Sequence, residues 1–208
     1  MSDRFPAVST LQFLKLATWF EGGLIVLAYV LGWLASLDPL QNLRITPSAI
    51  VIGFIGTLPL YLAFVGTYRF PQGGMRDIKQ LLVEKLGPFL SECRWPHLLY
   101  LGLLAGIAEE TLFRGFLQPW FEQNWGWAGG LVFSNLIFAL VHWVTPLYAL
   151  LAGLTGAYLG ITLDLTGERN LLIPIIIHAA YDFLAFLAVA KTFRDIANIA
   201  SQIENRDA

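Results

Sequence analysis

Residues 104–116 of the chain read LAGIAEETLFRGF. Three ionisable side chains, Glu109, Glu110 and Arg114, fall within six residues of a segment that otherwise holds only Leu, Ala, Ile, Thr, Phe and Gly. A charged side chain at the centre of a bilayer costs about 2.5–3.5 kcal/mol on insertion scales, so such residues face the interior of a helix bundle and are functional candidates. The segment therefore predicts a polar site inside an apolar helix.

The composition of the whole chain places this helix in a membrane. Of the 208 residues, 56% are hydrophobic and 13% are charged, whereas soluble domains carry about 25% charged residues. A membrane span needs about 20 mainly apolar residues, and six stretches are long enough. They are Ala17–Leu37, Ser48–Phe70, Leu98–Phe121, Gly126–Val144, Leu147–Leu165 and Leu171–Ala190.

These apolar runs are too long for the alternating strands of a membrane β-barrel, which have about ten residues each. The spans are therefore predicted to be helices. We predict an all-α fold, a polytopic membrane helix bundle with about six transmembrane helices, in which residues 1–208 form a single integral membrane domain.

The positions of the basic residues predict the orientation. With six spans both termini lie on one side, and the positive-inside rule makes that side cytoplasmic. The residues predicted on it are Arg4, Lys15, Arg69, Arg76, Lys79, Lys85, Arg94, Lys191, Arg194 and Arg206, against Arg44 and Arg169 on the other. The net charge of -2 argues against a nucleic-acid partner. The plasma membrane is the default location, and no oligomeric state is predicted.

The longest connection between spans contains a further helix. In MRDIKQLLVEKL, residues 75–86, apolar residues recur at helical spacing opposite basic ones, and Gly87-Pro88 is predicted to end the helix. The pattern fits an amphipathic helix lying in the membrane interface. It fits equally a helix that packs on the inner face of the bundle.

The two glutamates of the opening segment have different surroundings. Glu110 and Arg114 are four residues apart with the acid first, the favourable order for a helical ion pair. Glu109 points about 100° away around the helix and has no local cation. A buried ion pair is often only a device that locks helices together, so Glu109 is the stronger candidate for chemistry.

Two further spans carry ionisable groups. His142 lies in the fourth span, and His178 and Asp182 lie four residues apart in the sixth, where the carboxyl group can fix the tautomer of the imidazole. Taken singly, each histidine can be a polar contact between helices. Together with Glu109 they form a set that can activate water and stabilise an oxyanion.

Three motifs in order along the chain resemble those of a known family. EETLFR at 109–114 fits EExxxR, FALVH at 138–142 fits FxxxH, and HAAYD at 178–182 fits HxxxN with Asp in the last place. The pattern resembles the CAAX protease and bacteriocin-processing family (CPBP, or Abi) of intramembrane endopeptidases. The resemblance covers about residues 98–190, the motif-bearing core, and implies a peptidase of glutamic type.

The resemblance also implies roles for the motif residues. Glu109 would be the general base on a water molecule that His142 also holds. His178 and Asp182 would stabilise the tetrahedral oxyanion. The residues that would orient the site are Glu110 and Arg114. Asp182 departs from the family, which commonly has Asn there, and an ionised Asp repels an oxyanion, so Asp182 is either protonated or serves only to orient His178.

Alternatives to this interpretation remain open at this point. No cofactor is predicted, but two histidines and one carboxylate also form a normal catalytic zinc set. A non-proteolytic membrane scaffold or chaperone-like protein would use the same groups only to lock helices. A proton-coupled transporter is disfavoured, because matching Gly/Pro-interrupted halves are not found. The predicted partners are the lipid bilayer and a peptide or protein substrate, with a lipid-anchored one among the candidates.

Overall fold

The computed structural model describes residues 9–207, and within them the fold is entirely helical. The helices are α1 Thr10–Ala35, α2 Pro47–Arg69, α3 Gly74–Lys85, α4 Gly87–Ser91, α5 Trp95–Glu110, α6 Gln118–Val141, α7 Pro146–Thr162 and α8 Leu172–Asp207, with a π-helical segment, Thr111–Leu117, joining α5 to α6. Arg4, one of the predicted cytoplasmic residues, lies outside the described part. The all-α membrane fold predicted from the sequence is confirmed.

The helices are built to face lipid. Within residues 9–207, four helical stretches are long and apolar enough to cross a membrane, and α7 is a shorter apolar helix. Large apolar side chains such as Trp19, Trp33 and Phe54 are mostly exposed on the outer surfaces of α1 and α2. A soluble protein rarely exposes so much contiguous apolar surface. The chain is an integral membrane protein.

The predicted third and fourth spans share one helical stretch, Trp95–Val141, but they form two arms. The backbone leaves helical geometry at Gly126, which has φ 68° and ψ 179°, a conformation that glycine adopts without strain. Asn135 Oδ1 lies 2.9 Å from Arg114 Nη2, although a straight helix would separate these residues by about 30 Å. The chain therefore folds back at Gly126, while the exact number of membrane crossings stays a prediction.

The amphipathic segment packs on the bundle. Ile78 and Val83 of α3 are buried, and Leu82 and Leu86 pack against a core cluster that includes Val189 of α8. The helix ends at Lys85, next to the predicted Gly87-Pro88 stop. Of the two interpretations of this segment, the contacts favour packing against the protein, and its relation to the membrane interface stays a prediction.

Helices α5 and α8 pack closely against each other, and this contact positions the site. A Cβ atom at Gly106 would lie 2.8 Å from the backbone nitrogen of Ala179, and one at Gly102 would lie 2.6 Å from its carbonyl oxygen. Two glycines four residues apart let helix backbones approach closely in membranes. This contact brings the end of α5 against His178, the residue before Ala179.

Two groups of polar contacts mark the opposite ends of the bundle. At one end, Arg194 of α8 donates hydrogen bonds to the carbonyl oxygens of Ser91 and Cys93. At the other, Arg44 pairs with Glu168 at 3.0 Å. These ends correspond to the two sides that the distribution of basic residues predicts, and the assignment of one of them to the cytoplasm stays a prediction.

Candidate active site

A buried ion pair at the junction of α5 and the π-helical segment forms the centre of the site. Arg114 Nη1 donates to Glu110 Oε1 at 2.9 Å, and both side chains are 0% exposed. The predicted i, i+4 pair is therefore present. The helix changes from α to π between the two residues, a local distortion that is frequent at functional sites.

Arg114 also connects the arms of the bundle. Its Nη2 donates to Asn135 Oδ1 at 2.9 Å and to the carbonyl oxygen of Gly156 at 2.5 Å. Its guanidinium carbon lies 4.8 Å from the centre of the Phe138 ring, within cation–π range. One cation therefore holds α6 and α7 against the start of the π-helical segment.

His178 is bound on one side by Glu110 rather than mainly by Asp182. His178 Nδ1 lies 2.7 Å from Glu110 Oε1, whereas His178 Nε2 lies 3.6 Å from Asp182 Oδ2. The predicted i, i+4 contact with Asp182 is present at this longer distance, and the role of Asp182 in fixing the tautomer stays a prediction. Because an ionised carboxylate only accepts hydrogen bonds, we assign the Nδ1 proton to His178, donated to Glu110.

Glu109 and His142 face each other across a gap. Glu109 Oε2 lies 3.7 Å from His142 Nε2, too far for a direct hydrogen bond. Oε2 is buried, with no hydrogen-bond partner among residues 9–207. Glu109 is thus the carboxylate without a cation, as its position on the helix predicts.

The orientation of the His142 ring follows from its surroundings. His142 Nδ1 lies 2.8 Å from the carbonyl oxygen of Phe138, and the two rings stack with centroids 4.3 Å apart. A carbonyl oxygen can only accept, so Nδ1 carries a proton. In the neutral ring the lone pair then lies on Nε2 and points towards Glu109.

An apolar cavity of about 270 Å³ opens onto His142, His178 and Asp182. Its walls come from α2, α3, α7, α8 and the end of α6. Most of its lining is apolar, and its polar side chains include His142, His178, Asp182, Tyr148 and Lys79. Cavities of this kind, apolar with a few convergent polar groups, are where ligands bind.

The structure brings all six site residues predicted from the sequence into one connected group. The interactions run from Asp182 through His178 and Glu110 to Arg114, and Glu109, next to Glu110, faces His142. Which of these residues carry out chemistry stays a prediction.

Sequence reasoning missed the groups that support the site. Asn135, a polar residue inside the fourth predicted span, carries the same signal as the charged residues, and it binds Arg114. Glu21 of α1 has a buried oxygen without a hydrogen-bond partner among residues 9–207. Away from the site, Asp164 pairs with Arg169 at 2.8 Å.

The zinc alternative stays an open prediction. In the described part of the chain, no three His, Cys, Asp or Glu side chains are grouped as a metal ion would require. The Nδ1 atom of His178 is already engaged with Glu110.

The fold and the site define a helical integral membrane protein with a buried carboxylate–imidazole centre beside an apolar cavity. Residues 91–184 match the model of a family described as Rce1-like, type II CAAX prenyl endopeptidase Rce1-like. The match contains all six predicted site residues and confirms the resemblance that the three motifs indicate. It supports intramembrane protease activity in general terms. No curated protein and no solved structure matches the chain.

Proposed function

We propose that the protein is an intramembrane endopeptidase in which Glu109 and His142 activate a water molecule. The observation that carries this proposal is the gap of 3.7 Å between Glu109 Oε2 and His142 Nε2, together with the unsatisfied state of Oε2 among residues 9–207. Polar atoms held just beyond hydrogen-bond distance commonly share a water molecule. Both atoms are acceptors, so one water can donate a hydrogen bond to each.

The reaction follows from this arrangement. The water oxygen attacks the scissile carbonyl carbon while Glu109 takes a proton from the water. The carbonyl π electrons move to the carbonyl oxygen and give the tetrahedral oxyanion. When the intermediate collapses, the carbonyl double bond re-forms, the C–N bond breaks, and the leaving nitrogen takes the proton held by Glu109. His142 keeps its proton on Nδ1, where it is hydrogen-bonded to the Phe138 carbonyl oxygen. The ring orients the water through Nε2.

The cavity supports a membrane-associated substrate. Its apolar lining and its volume of about 270 Å³ suit a few apolar groups of a peptide or an attached lipid better than a polar chain. The matched family is described by its action on CAAX prenyl substrates. We extend this to the present chain as a peptide or protein substrate, including a lipid-anchored one, cleaved at the cytoplasmic side of the plasma membrane.

The test is a comparison of membrane proteomes from cells that carry the wild-type protein or Glu109→Gln. We expect at least one membrane protein to be shorter in the wild-type cells, with its uncut form accumulating in the variant. A scaffold would work equally well with either side chain. Identical proteomes, with full complementation of a deletion by Glu109→Gln and by His142→Ala, would reject the peptidase in favour of the scaffold.

The reaction as proposed needs no metal ion, and this gives a separate prediction. After exhaustive dialysis against a chelator, the purified protein should keep its peptidase activity within about twofold, because the base is a carboxylate acting directly on water. Metal analysis of the same sample should accompany the assay. Activity that disappears on chelation and returns with Zn²⁺ would establish the zinc-dependent mechanism instead.

A further inference from the structure

The supply of hydrogen-bond donors on the cavity side of the site is limited. His178 gives its Nδ1 proton to Glu110, and its Nε2 faces Asp182 Oδ2 at 3.6 Å. If the ring is neutral, Nε2 is an acceptor; if it carries a second proton, that proton points towards an ionised carboxylate. The neutral ring thus has no proton on Nε2 to give, and the charged ring directs that proton towards Asp182, so a developing oxyanion is short of a donor on this side.

Tyr148 offers a donor in the same cavity. It lies in the first turn of α7, where its backbone nitrogen is held by Thr145 Oγ1 at 3.1 Å, and its side chain lines the cavity with His142, His178 and Asp182. A short capped turn fixes the origin of the side chain, so the position of the ring does not depend on a flexible loop.

The Tyr148 hydroxyl has no hydrogen bond to another residue in the described part of the chain, whereas that of Tyr158 on the same helix donates to the Gly56 carbonyl oxygen at 2.7 Å. Tyr68, which also lines the cavity, donates to Thr192 at 3.0 Å. Tyr148 is partly buried and lines the cavity, and a tyrosine hydroxyl in such a position usually finds a partner. The unused hydroxyl of Tyr148 is therefore available to a bound molecule.

The position of Tyr148 brings it to the half of the site that holds the water. Its side chain lines the same cavity as His142, whose Nε2 faces Glu109 Oε2 at 3.7 Å, and α7 is the helix that follows His142 along the chain. Tyr181, the other cavity phenol without a hydrogen bond among residues 9–207, lies instead on α8 next to Asp182.

We propose that Tyr148 is a further catalytic residue, whose hydroxyl donates a hydrogen bond to the oxyanion formed when water attacks the scissile carbonyl. This inference rests on the proposed peptidase function. The phenol keeps its proton throughout, since a tyrosine is protonated at neutral pH, and its hydrogen bond strengthens as negative charge develops on the carbonyl oxygen. Such a preorganised donor stabilises the transition state more than the bound substrate.

The experiment compares Tyr148→Phe with the wild-type protein in detergent, using a quenched fluorogenic peptide that carries a prenylated cysteine followed by three residues. Loss of one oxyanion donor should lower kcat by about 10²-fold to 10³-fold and change KM by less than about threefold. Tyr158→Phe is the matched control: it removes a phenol hydroxyl from the same helix, outside the cavity, and should leave kcat within about twofold even where it lowers the melting temperature.

The outcomes separate this inference from the proposed function. If Tyr148→Phe keeps kcat within twofold while Glu109→Gln is inactive, the peptidase stands and Tyr148 is not a donor. If the wild-type protein does not cleave the peptide, both the proposed substrate class and the inference are rejected. Should Tyr148→Phe fold poorly, fluorotyrosine at position 148 preserves the shape and makes the hydroxyl more acidic. An unchanged kcat in that variant would also overturn the inference.

Discussion

Glu109→Gln should lower kcat by at least about 10³-fold, within the range that a general base contributes. The variant keeps the size of the side chain and the neighbouring His142, but the amide cannot take a proton from water. The fold should be unaffected, because Glu109 Oε2 has no hydrogen-bond partner among residues 9–207 that the substitution would break. The measurement is the initial rate of cleavage of the fluorogenic peptide, together with the melting temperature in detergent.

Glu109→Asp is the companion variant. It keeps a carboxylate but withdraws it by one methylene, and a misplacement of about 1 Å can cost about 10²-fold in rate. We therefore expect activity between that of the wild type and that of Glu109→Gln. A Glu109→Gln protein with a tenth or more of the wild-type kcat would mean that another group accepts the proton.

The broad outline of this site follows from local features of the sequence. The i, i+4 spacing predicts the pair between Glu110 and Arg114, and the rotation of one residue around the helix predicts that Glu109 is left without a cation. Because ionisable groups are unfavourable in lipid, those in membrane spans are predicted to point together into the interior of the bundle. These are properties of single helices and of the bilayer, so they can be predicted without knowing how the helices pack.

The details depend on packing between helices, which periodicity does not specify. Glu110 binds His178 because the glycines of α5 let α8 approach closely, and a local rule instead favours Asp182, four residues along the same helix. The reversal at Gly126 agrees with the boundary predicted between the third and fourth spans, whereas the π-helical segment cannot be recognised from a hydrophobic pattern, since it leaves the surrounding residues mostly apolar. Asn135 is visible in the sequence as a polar residue inside a span, but its contact with Arg114 follows only from the way the two arms pack.

A stability test addresses the role of Arg114. Arg114→Met removes the cation that contacts Glu110, Asn135 and the Gly156 carbonyl oxygen and leaves the Glu110 carboxylate, which is 0% exposed, without its counter-charge. Breaking a buried ion pair from one side costs about 3–5 kcal/mol. We expect a loss of that size in the free energy of unfolding, measured by denaturant titration in mixed micelles.

The matched control is Arg44→Met. Arg44 pairs with Glu168 at 3.0 Å, almost the same distance as the buried pair, but the two side chains are 58% and 75% exposed. Exposed pairs contribute about 0–1 kcal/mol, so this variant should unfold nearly as the wild type does. Equal losses in the free energy of unfolding of the two variants would mean that burial does not determine how much Arg114 contributes to stability.

The double variant Glu110→Gln/Arg114→Met separates stability from activity. It leaves no uncompensated charge, so it should recover most of the stability lost in Arg114→Met, because removing both members of a buried pair is often nearly neutral. Activity should stay low, since an amide accepts a weaker hydrogen bond from His178 Nδ1 than a carboxylate does, and the imidazole is then less firmly oriented. A stable double variant with wild-type kcat would show that the pair only locks the helices and that the reaction proceeds without it.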